Sequence, residues 1–338
     1  MRAATLSSEM LLAGLKAAGE NTRLRILALL EEHDLTVKDF TTVLGQSQPR
    51  ISRHLKLLAE ARLIQRFPEG AWVYYRLTDS GAQAELVHSV LLLVDKTEPE
   101  FVRDRERLEI VKQEQALQAS TYFATNAQEW DRIRTLHVAE KDVEQAISRI
   151  LGKEEMDNFL DLGTGTGRLL EIFNTRYRRG VGVDLSPQML SIARANLNKA
   201  GIRNAQVRQG DIYSLPVAPG TFDVVVVYQV LHYLDDPARA VAEAARALRP
   251  GGRLLVVDFA PHDLEFLREE HAHRRLGFAR GQVEKWFSAV GLETVSVEDL
   301  DPSAGGSEKL TVTIWLATDP RMIVANDDDV ALDEREAV

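Results

Sequence analysis

The sequence contains no cysteine. A chain without cysteine has no disulfide, no thiolate metal site, no iron–sulfur cluster and no cysteine nucleophile. Long apolar runs are also missing, and a run such as residues 90–94 is far shorter than the ~20 residues that a membrane-spanning helix needs. Residues 1–14 lack the long apolar core that follows the basic start of a signal peptide. We therefore expect a cytoplasmic protein with no membrane anchor and no membrane partner.

Positive charge is scarce overall, with 41 Lys and Arg residues against 51 Asp and Glu residues and a formal net charge of −10. This balance works against nucleic-acid binding, because phosphate contacts need basic side chains. The first 80 residues, however, hold 11 basic and 9 acidic residues, so the acidity lies in the remainder of the chain. Between residues 50 and 76, six basic side chains accompany two acidic ones. A local basic stripe of this kind suits a DNA-binding domain.

The length of 338 residues exceeds what one hydrophobic core usually organises. We predict an N-terminal domain over residues 1–94, a charged helical connector over residues 95–121 and an α/β domain over residues 122–320. Residues 321–338 are acidic and poor in large apolar groups, which predicts a disordered tail.

The N-terminal domain shows a helix–turn–helix pattern. Apolar spacing predicts two helices within residues 11–30, with Asn21 and Thr22 as the N-cap of the second. A third helix is expected over residues 37–44, where Gly45 ends it, and Ser47 caps a fourth over residues 48–61. Residues 66–77 alternate around a Pro/Gly turn, which predicts a β-hairpin. This order of elements favours an α+β winged helix.

The second half alternates short apolar runs with amphipathic helices, a pattern typical of a mostly parallel sheet. We predict an α/β doubly wound sheet of seven strands. The strands are expected at residues 159–162, 181–184, 205–208, 224–228, 254–258, 294–298 and 310–316.

A glycine-rich turn follows the first of these strands. Gly163, Gly165 and Gly167 let the backbone turn sharply and approach a ligand, and the helix after them presents free N–H groups. Their G-x-G-x-G spacing differs from the G-x-G-x-x-G of dinucleotide folds, which favours a cofactor without phosphates. The next strand ends in Asp184, a carboxylate suited to accept hydrogen bonds from two ribose hydroxyls. A third strand leads into Asp211.

These residues resemble the class I S-adenosylmethionine (SAM)-dependent methyltransferases, in particular their ubiquinone/menaquinone-methyltransferase branch. The resemblance extends over residues 122–318, with segments 222–234 and 247–254 similar to the fourth-strand motif and to the turn into the fifth strand. It implies a Rossmann-like fold, SAM as the cofactor and S-adenosylhomocysteine (SAH) as the product.

The same resemblance implies which residues hold the cofactor. The loop with Asp161 would hold the methionine part of SAM, Asp184 the ribose, and Asp211 with Ile212 the edge of the adenine. The complete set of cofactor-binding residues that we expect is Tyr122, Asp161, Gly163, Gly165, Gly167, Asp184, Leu185, Asp211, Ile212 and Tyr228.

Residues 1–94 resemble the ArsR family of winged-helix transcriptional regulators. The segment 48–58 is similar to its recognition helix, with Ile51, Leu55 and Leu58 facing inward. The resemblance implies a homodimer on operator DNA, with residues 11–15 and 85–94 at the dimer seam. The residues expected to contact DNA are Ser47, Gln48, Arg50, Arg53 and His54 on the helix, and Arg66 and Arg76 on the wing.

Metal sensing through thiolates is excluded by the absence of cysteine. Glu85, His88, Asp95 and Glu98 form an alternative set of oxygen and nitrogen ligands, but charged side chains on a solvated helix are the simpler interpretation. We therefore predict no metal site.

Two functions fit the sequence. Methyl transfer needs a positioned acceptor and sometimes a general base. His232, just past the fourth strand, is the candidate catalytic base, with lining of the pocket as the alternative. We expect a methyltransferase for a small-molecule acceptor fused to a transcriptional regulator. The alternative is a regulator whose methyltransferase-like domain senses SAM or SAH without turnover.

Overall fold

A computed structural model describes residues 5–31, 34–69, 72–78, 81–127, 140–301 and 310–321 of the chain. The chain divides into two compact units. Unit 1 comprises Met1–Phe123, His232–Asp236 and Pro261–Gly277. Unit 2 comprises Ala124–Leu231, Pro237–Ala260 and Phe278–Val338. Residues 322–338, nearly all of the predicted acidic tail, lie outside the described residues.

The described part of unit 1 combines helices with a small antiparallel sheet. Its helices are α1 (Ser8–Ala18), α2 (Asn21–Leu30), α3 (Val37–Leu44), α4 (Gln48–Glu60), α5 (Gly81–Leu93) and the start of α6 (Pro99–Asn126). Its strands are β1 (Leu35–Thr36), β2 (Ile64–Glu69) and β3 (Trp72–Leu77), in the order β1-β3-β2. Helices α3 and α4 form the predicted helix–turn–helix, and β2 and β3 form the predicted hairpin, so the winged-helix fold is confirmed.

Local hydrogen bonds explain where these helices begin. At the start of α3, the Thr36 hydroxyl accepts a hydrogen bond from the Asp39 N–H, and the Asp39 carboxylate accepts one from the Thr36 N–H. The N-cap of α2 is Glu20, whose carboxylate accepts from the N–H of Arg23, and not Asn21 or Thr22 as predicted. Ser47 occupies the N-cap position of α4, but its side chain makes no capping hydrogen bond there. The predicted position is therefore right for α4 and the predicted interaction is wrong.

Helix α6 spans 28 residues and covers most of the segment expected to be a connector. Its first half is part of the structure of unit 1, because Phe101 and Leu108 are buried. Asp104, only 2% exposed, accepts two hydrogen bonds from the guanidinium of Arg25 in α2, at 2.5 and 2.6 Å. Among the described helices, none combines the length and the apolar character that crossing a membrane requires.

Unit 2 is built on a sheet that contains seven strands among the described residues, in the order β6-β5-β4-β7-β8-β10-β9. The strands are β4 (Met156–Leu162), β5 (Tyr177–Asp184), β6 (Ala205–Gln209), β7 (Phe222–Tyr228), β8 (Leu248–Phe259), β9 (Glu293–Leu300) and β10 (Val312–Thr318). Strands β4 to β8 pair in parallel, and β10 is antiparallel to both β8 and β9. Each predicted strand overlaps one of these, so the mostly parallel seven-stranded sheet is confirmed.

Helices connect the strands of unit 2. They are α7 (Glu140–Ile150), α8 (Arg168–Ile172), α9 (Pro187–Lys199), α10 (Pro237–Ala247) and α12 (Arg280–Ala289), and a short helix α11 (Phe266–Glu270) precedes α12 within the part of the chain assigned to unit 1. Strand β4 lies between β5 and β7 at the centre of the parallel part, with Phe159, Leu160 and Leu162 buried. The carboxyl end of this central strand carries the glycine-rich turn.

Candidate functional sites

The glycine-rich turn joins the end of β4 to the start of α8. Gly163, Gly165 and Gly167 adopt φ angles of +71°, +54° and +82°. A Cβ at position 163 would lie 2.3 Å from Cγ2 of Val230, which is the second residue after β7. Both the backbone conformation and the space therefore require glycine at position 163.

Two carboxylates lie beside this turn. Asp161 is buried near the end of β4, and one of its oxygens accepts a hydrogen bond from the Thr164 hydroxyl at 2.7 Å. Asp184 ends the neighbouring strand β5, and its two oxygens accept from the N–H groups of Gly165 at 2.9 Å and Ser186 at 2.8 Å. Burial raises the pKa of Asp184, and these hydrogen bonds oppose the rise. The Leu185 N–H also donates to this carboxylate, which with about four acceptor positions can still accept a hydrogen bond from a ligand hydroxyl.

The adenine-side residues predicted from the sequence follow β5 and β6. Leu185 comes directly after Asp184 and is 59% exposed. Its carbonyl oxygen accepts a hydrogen bond from the Gln209 side chain at 3.2 Å. Asp211 is exposed, and its carboxylate accepts from the Tyr213 N–H at 2.9 Å. Tyr228 is the last residue of β7, so the predicted cofactor residues of unit 2 lie at the carboxyl ends of β4, β5, β6 and β7, where ligands bind in open α/β sheets.

The guanidinium of Arg168, at the first position of α8, is engaged by a carboxylate. It donates two hydrogen bonds to Glu144 of α7, at 2.7 and 2.9 Å. The two residues lie 24 positions apart and no local sequence pattern links them, so this pair could not be predicted from the sequence. Arg168 is the basic residue nearest to the glycine turn in sequence, and Glu144 balances its charge.

Gln229 is a second residue that sequence reasoning missed. It follows β7 with a φ of +53°, in the left-handed region that non-glycine residues rarely adopt. The side chain is buried, and within the described residues its amide nitrogen has no hydrogen-bond partner. Such strain recurs at functional positions in proteins. No sequence signal reports a positive φ at glutamine.

Tyr122 and His232, the remaining predicted residues apart from the buried Tyr228, belong to unit 1, whereas the glycine turn belongs to unit 2. The Tyr122 hydroxyl lies 2.8 Å from Nδ1 of His271, and burial raises the pKa of Tyr122 to about 12. His232 is 1% exposed, and its ring centroid lies 4.2 Å from that of His273 and 4.0 Å from that of Tyr233. Within the described ranges, no three potential ligand side chains are grouped to hold a metal ion.

The candidate DNA-reading surface lies on α4 and the hairpin of unit 1. Ser47, Gln48, Arg50 and Arg53 are exposed, while Ile51, Leu55 and Leu58 are buried. Arg66 on β2 is exposed as well, and so is Ser52, which the sequence analysis did not include. The exposed side chains at the start of α4 and along it give the second helix of the motif a polar and basic face, as DNA readout in the major groove requires.

Two of the residues expected to contact DNA make contacts within unit 1. Nδ1 of His54 lies 3.5 Å from the Glu20 carboxylate, and burial lowers the pKa of this half-buried imidazole. The guanidinium of Arg76 lies 2.7 Å from the Asp34 carboxylate. Each of these side chains already lies close to a carboxylate of unit 1. The exposed residues of α4 are therefore the stronger candidates for direct contacts with DNA.

An apolar surface lies on α1 and α5 of the same unit. Its members are the exposed side chains of Met10, Leu11, Leu12, Leu15, Leu92 and Leu93. Leu93 is 88% exposed. Exposed apolar residues that cluster in this way mark interaction surfaces.

Two family models match the chain. Residues 160–256 match the model described as a methyltransferase domain, and residues 20–66 match the model of the bacterial regulatory proteins of the arsR family. The first match contains the glycine turn, Asp184 and Asp211, and the second contains the helix–turn–helix. Both resemblances inferred from the sequence are confirmed for these two segments: a segment that matches the arsR-family model precedes one that matches the methyltransferase-domain model.

Three of the similar proteins are methyltransferases by name. The demethylmenaquinone methyltransferase of Thermus thermophilus is 41% identical over 106 residues, 30% of this chain and 47% of that protein. The uncharacterized methyltransferase YcgJ of Bacillus subtilis is 34% identical over 105 residues, 31% of this chain and 42% of that protein. The arsenite methyltransferase of Halobacterium salinarum is 36% identical over 107 residues, 30% of this chain and 27% of that protein. The chain therefore spans less than half the length of each of these relatives.

Proposed function

We propose that this protein transfers the methyl group of SAM to a small-molecule acceptor, and that its N-terminal domain binds operator DNA. The observation that carries the first part is the turn at Gly163–Gly167, which has three left-handed glycines and the Asp161 and Asp184 carboxylates beside it. The match of residues 160–256 to the methyltransferase family supports the reaction class.

The residues present fit SAM better than a phosphate-bearing cofactor. The Glu144 carboxylate engages Arg168, and two acidic groups lie at the turn, an arrangement that repels phosphate. The close approach of Gly163 to Val230 leaves room for the backbone only, so the turn lines the site with N–H and C=O groups. Asp184 is placed to hold ribose hydroxyls, and the exposed Leu185 offers an apolar surface to the adenine ring.

When bound, SAM supplies an electrophilic methyl group on a sulfonium. The chain must then hold the acceptor and remove its proton where the acceptor is protic. His232 is the base in this proposal. It is buried, and its ring centroid lies 4.2 Å from that of His273, with an angle of 33° between the two rings.

Calorimetric titration with SAH tests the cofactor site. We expect Asp184→Ala to weaken SAH binding by at least about tenfold, because hydrogen bonds to a charged group contribute about 1.5–3 kcal/mol each. The matched control is Asp157→Ala, an exposed aspartate near the start of β4. Equal affinity in all three proteins, or no binding by the wild type, would refute the proposed site.

Turnover is tested with SAM and one acceptor at a time, with SAH release as the readout. The names of the relatives suggest demethylmenaquinone and arsenite as the first acceptors. For an acceptor that is turned over and loses a proton, His232→Gln should lower kcat while the SAH dissociation constant stays the same. Binding of SAH without turnover of any acceptor would support the second candidate function, in which the domain senses SAM or SAH. The observation that favours this second function is that His232–Asp236 belongs to the same unit as the DNA-binding elements.

The proposed DNA-bound form is a homodimer joined through the apolar surface of α1 and α5. Sedimentation should give a dimer for the wild type and a monomer for Leu12→Glu. The control is Ile110→Glu, at an exposed apolar residue of α6.

Duplexes selected from a random library should bind the wild type, and Arg53→Ala should weaken that binding and reduce its salt dependence. The proposed location is the cytoplasm, as inferred from the composition.

A further inference from the structure

Two short segments of the chain leave the ends of sheet strands and belong to unit 1. His232–Asp236 begins four residues after β7, and Pro261–Gly277 begins two residues after β8. Main-chain hydrogen bonds join these segments, because the carbonyl oxygen of His232 accepts from the N–H groups of Arg274 at 2.9 Å and Arg275 at 3.1 Å. The main chain of residue 232 is therefore bonded directly to that of residues 274 and 275.

The second segment also contacts the wing. The hydroxyl of Tyr74, on β3, donates a hydrogen bond to the carbonyl oxygen of Arg274 at 3.0 Å. The guanidinium of Arg275 lies 4.9 Å from the centre of the Tyr74 ring and 3.9 Å from the Asp34 carboxylate. We call Tyr74, Arg275 and Asp34 the wing latch. Arg275 is 5% exposed, and a cation buried to this degree is held in place by such partners.

At the other end, the first segment continues from residues that contact the glycine turn. Val230 packs against Gly163 so closely that the site has no space for a Cβ. Gln229, beside it, is held at a φ of +53°. Only Leu231 lies between Val230 and His232 along the chain. The path from the glycine turn to the wing latch therefore consists of one packed contact, a short covalent stretch and main-chain hydrogen bonds. Contiguous packed and hydrogen-bonded elements of this kind can carry coupling between sites.

We propose that this path couples the cofactor site to the wing, so that the affinity for DNA differs between the ligand-free protein and the protein with SAM or SAH bound. The inference rests on the proposed function, since it requires both a cofactor site at Gly163 and a DNA-binding wing. A ligand seated on the turn presses on Val230, and the displacement reaches Tyr74 through His232 and the wing latch. By linkage, DNA changes the affinity for SAH by the same factor as SAH changes the affinity for DNA.

The test compares four full-length proteins: the wild type, Tyr74→Phe, Arg275→Gln and the control Tyr75→Phe. Tyr75 follows Tyr74 on β3 and packs against the core of unit 1, so its side chain points to the opposite side of the strand. Each protein is titrated into a fluorescent duplex obtained by selection, with and without saturating SAH, and with SAH alone by calorimetry. Amide hydrogen exchange of residues 72–77 is measured with and without SAH in the absence of DNA.

We expect SAH to change the DNA dissociation constant of the wild type and of Tyr75→Phe by at least about fivefold, the lower end of typical allosteric coupling. In Tyr74→Phe and Arg275→Gln the change should fall below about twofold, while the SAH dissociation constant stays within about twofold of the wild type. SAH should alter exchange of residues 72–77 only in the wild type and the control. The inference is wrong if wild-type protein binds SAH and DNA separately without coupling, or if the variants couple as strongly as the wild type. Failure to bind SAH or DNA alone refutes instead the proposed function, and the inference with it.

Discussion

The contact between Gly163 and Val230 gives the sharpest test of the cofactor turn. Gly163→Ala places a Cβ 2.3 Å from Cγ2 of Val230, at a φ of +71°. The left-handed conformation costs an L-residue about 1–2 kcal/mol, and overpacking costs about 1–3 kcal/mol more. We therefore expect a loss of about 2–5 kcal/mol in the free energy of unfolding, measured by urea denaturation.

The control for this prediction is Gly220→Ala, at a φ of +64° with open space around it. It should lose only the conformational part, about 1–2 kcal/mol, and the change in the entropy of the unfolded chain is the same for both variants. Adding Val230→Ala to Gly163→Ala removes the two Cγ atoms and should restore at least about 1 kcal/mol relative to additivity. Equal losses at positions 163 and 220, or no recovery in the double variant, would refute the reasoning.

Three further outcomes are expected. Arg25→Ala leaves the buried Asp104 carboxylate without its partner and should cost about 3–5 kcal/mol in urea denaturation, whereas Lys56→Ala, in an exposed pair, should cost less than about 1 kcal/mol. Burial raises the pKa of Asp184, so the folded state binds the proton of this carboxyl group more tightly than the unfolded state does. The stability of the wild type relative to Asp184→Asn should therefore fall as the pH rises above about 4, as measured by thermal denaturation over a series of pH values. Ultraviolet titration should show a tyrosine ionising near pH 12 that Tyr122→Phe removes.

Local signals in the sequence were sufficient for the elements of the winged helix. The Thr36 and Asp39 pair and the glycine at position 45 mark both ends of α3, and the predicted range agrees with the observed one. The cap of α2 was mispredicted because Glu20 is a weaker capping residue by type than Asn21, and only the geometry of the turn after Gly19 brings its carboxylate to the Arg23 N–H.

Alternation of strands and helices was equally sufficient for the sheet of unit 2, and the end of each strand located Asp161, Asp184 and Asp211. Contacts between residues far apart in the sequence could not be predicted from it. The fork between Arg168 and Glu144 and the contact of Val230 with Gly163 join residues 24 and 67 positions apart. Neither the assignment of Pro261–Gly277 to unit 1 nor the backbone strain at Gln229 leaves a periodic signal in the sequence.

The position of Asp104 on α6 limits where the chain could be divided to transfer its N-terminal unit to another protein. The pattern that identifies the regulator ends with α5, yet the core of that unit continues through Phe101, Asp104 and Leu108 of α6. A recombination event that copied only residues 1–94 would leave Arg25 without its carboxylate and uncover the apolar surface beneath α6. The N-terminal unit therefore extends beyond residue 94, and a chain cut there would lose part of what stabilises that unit.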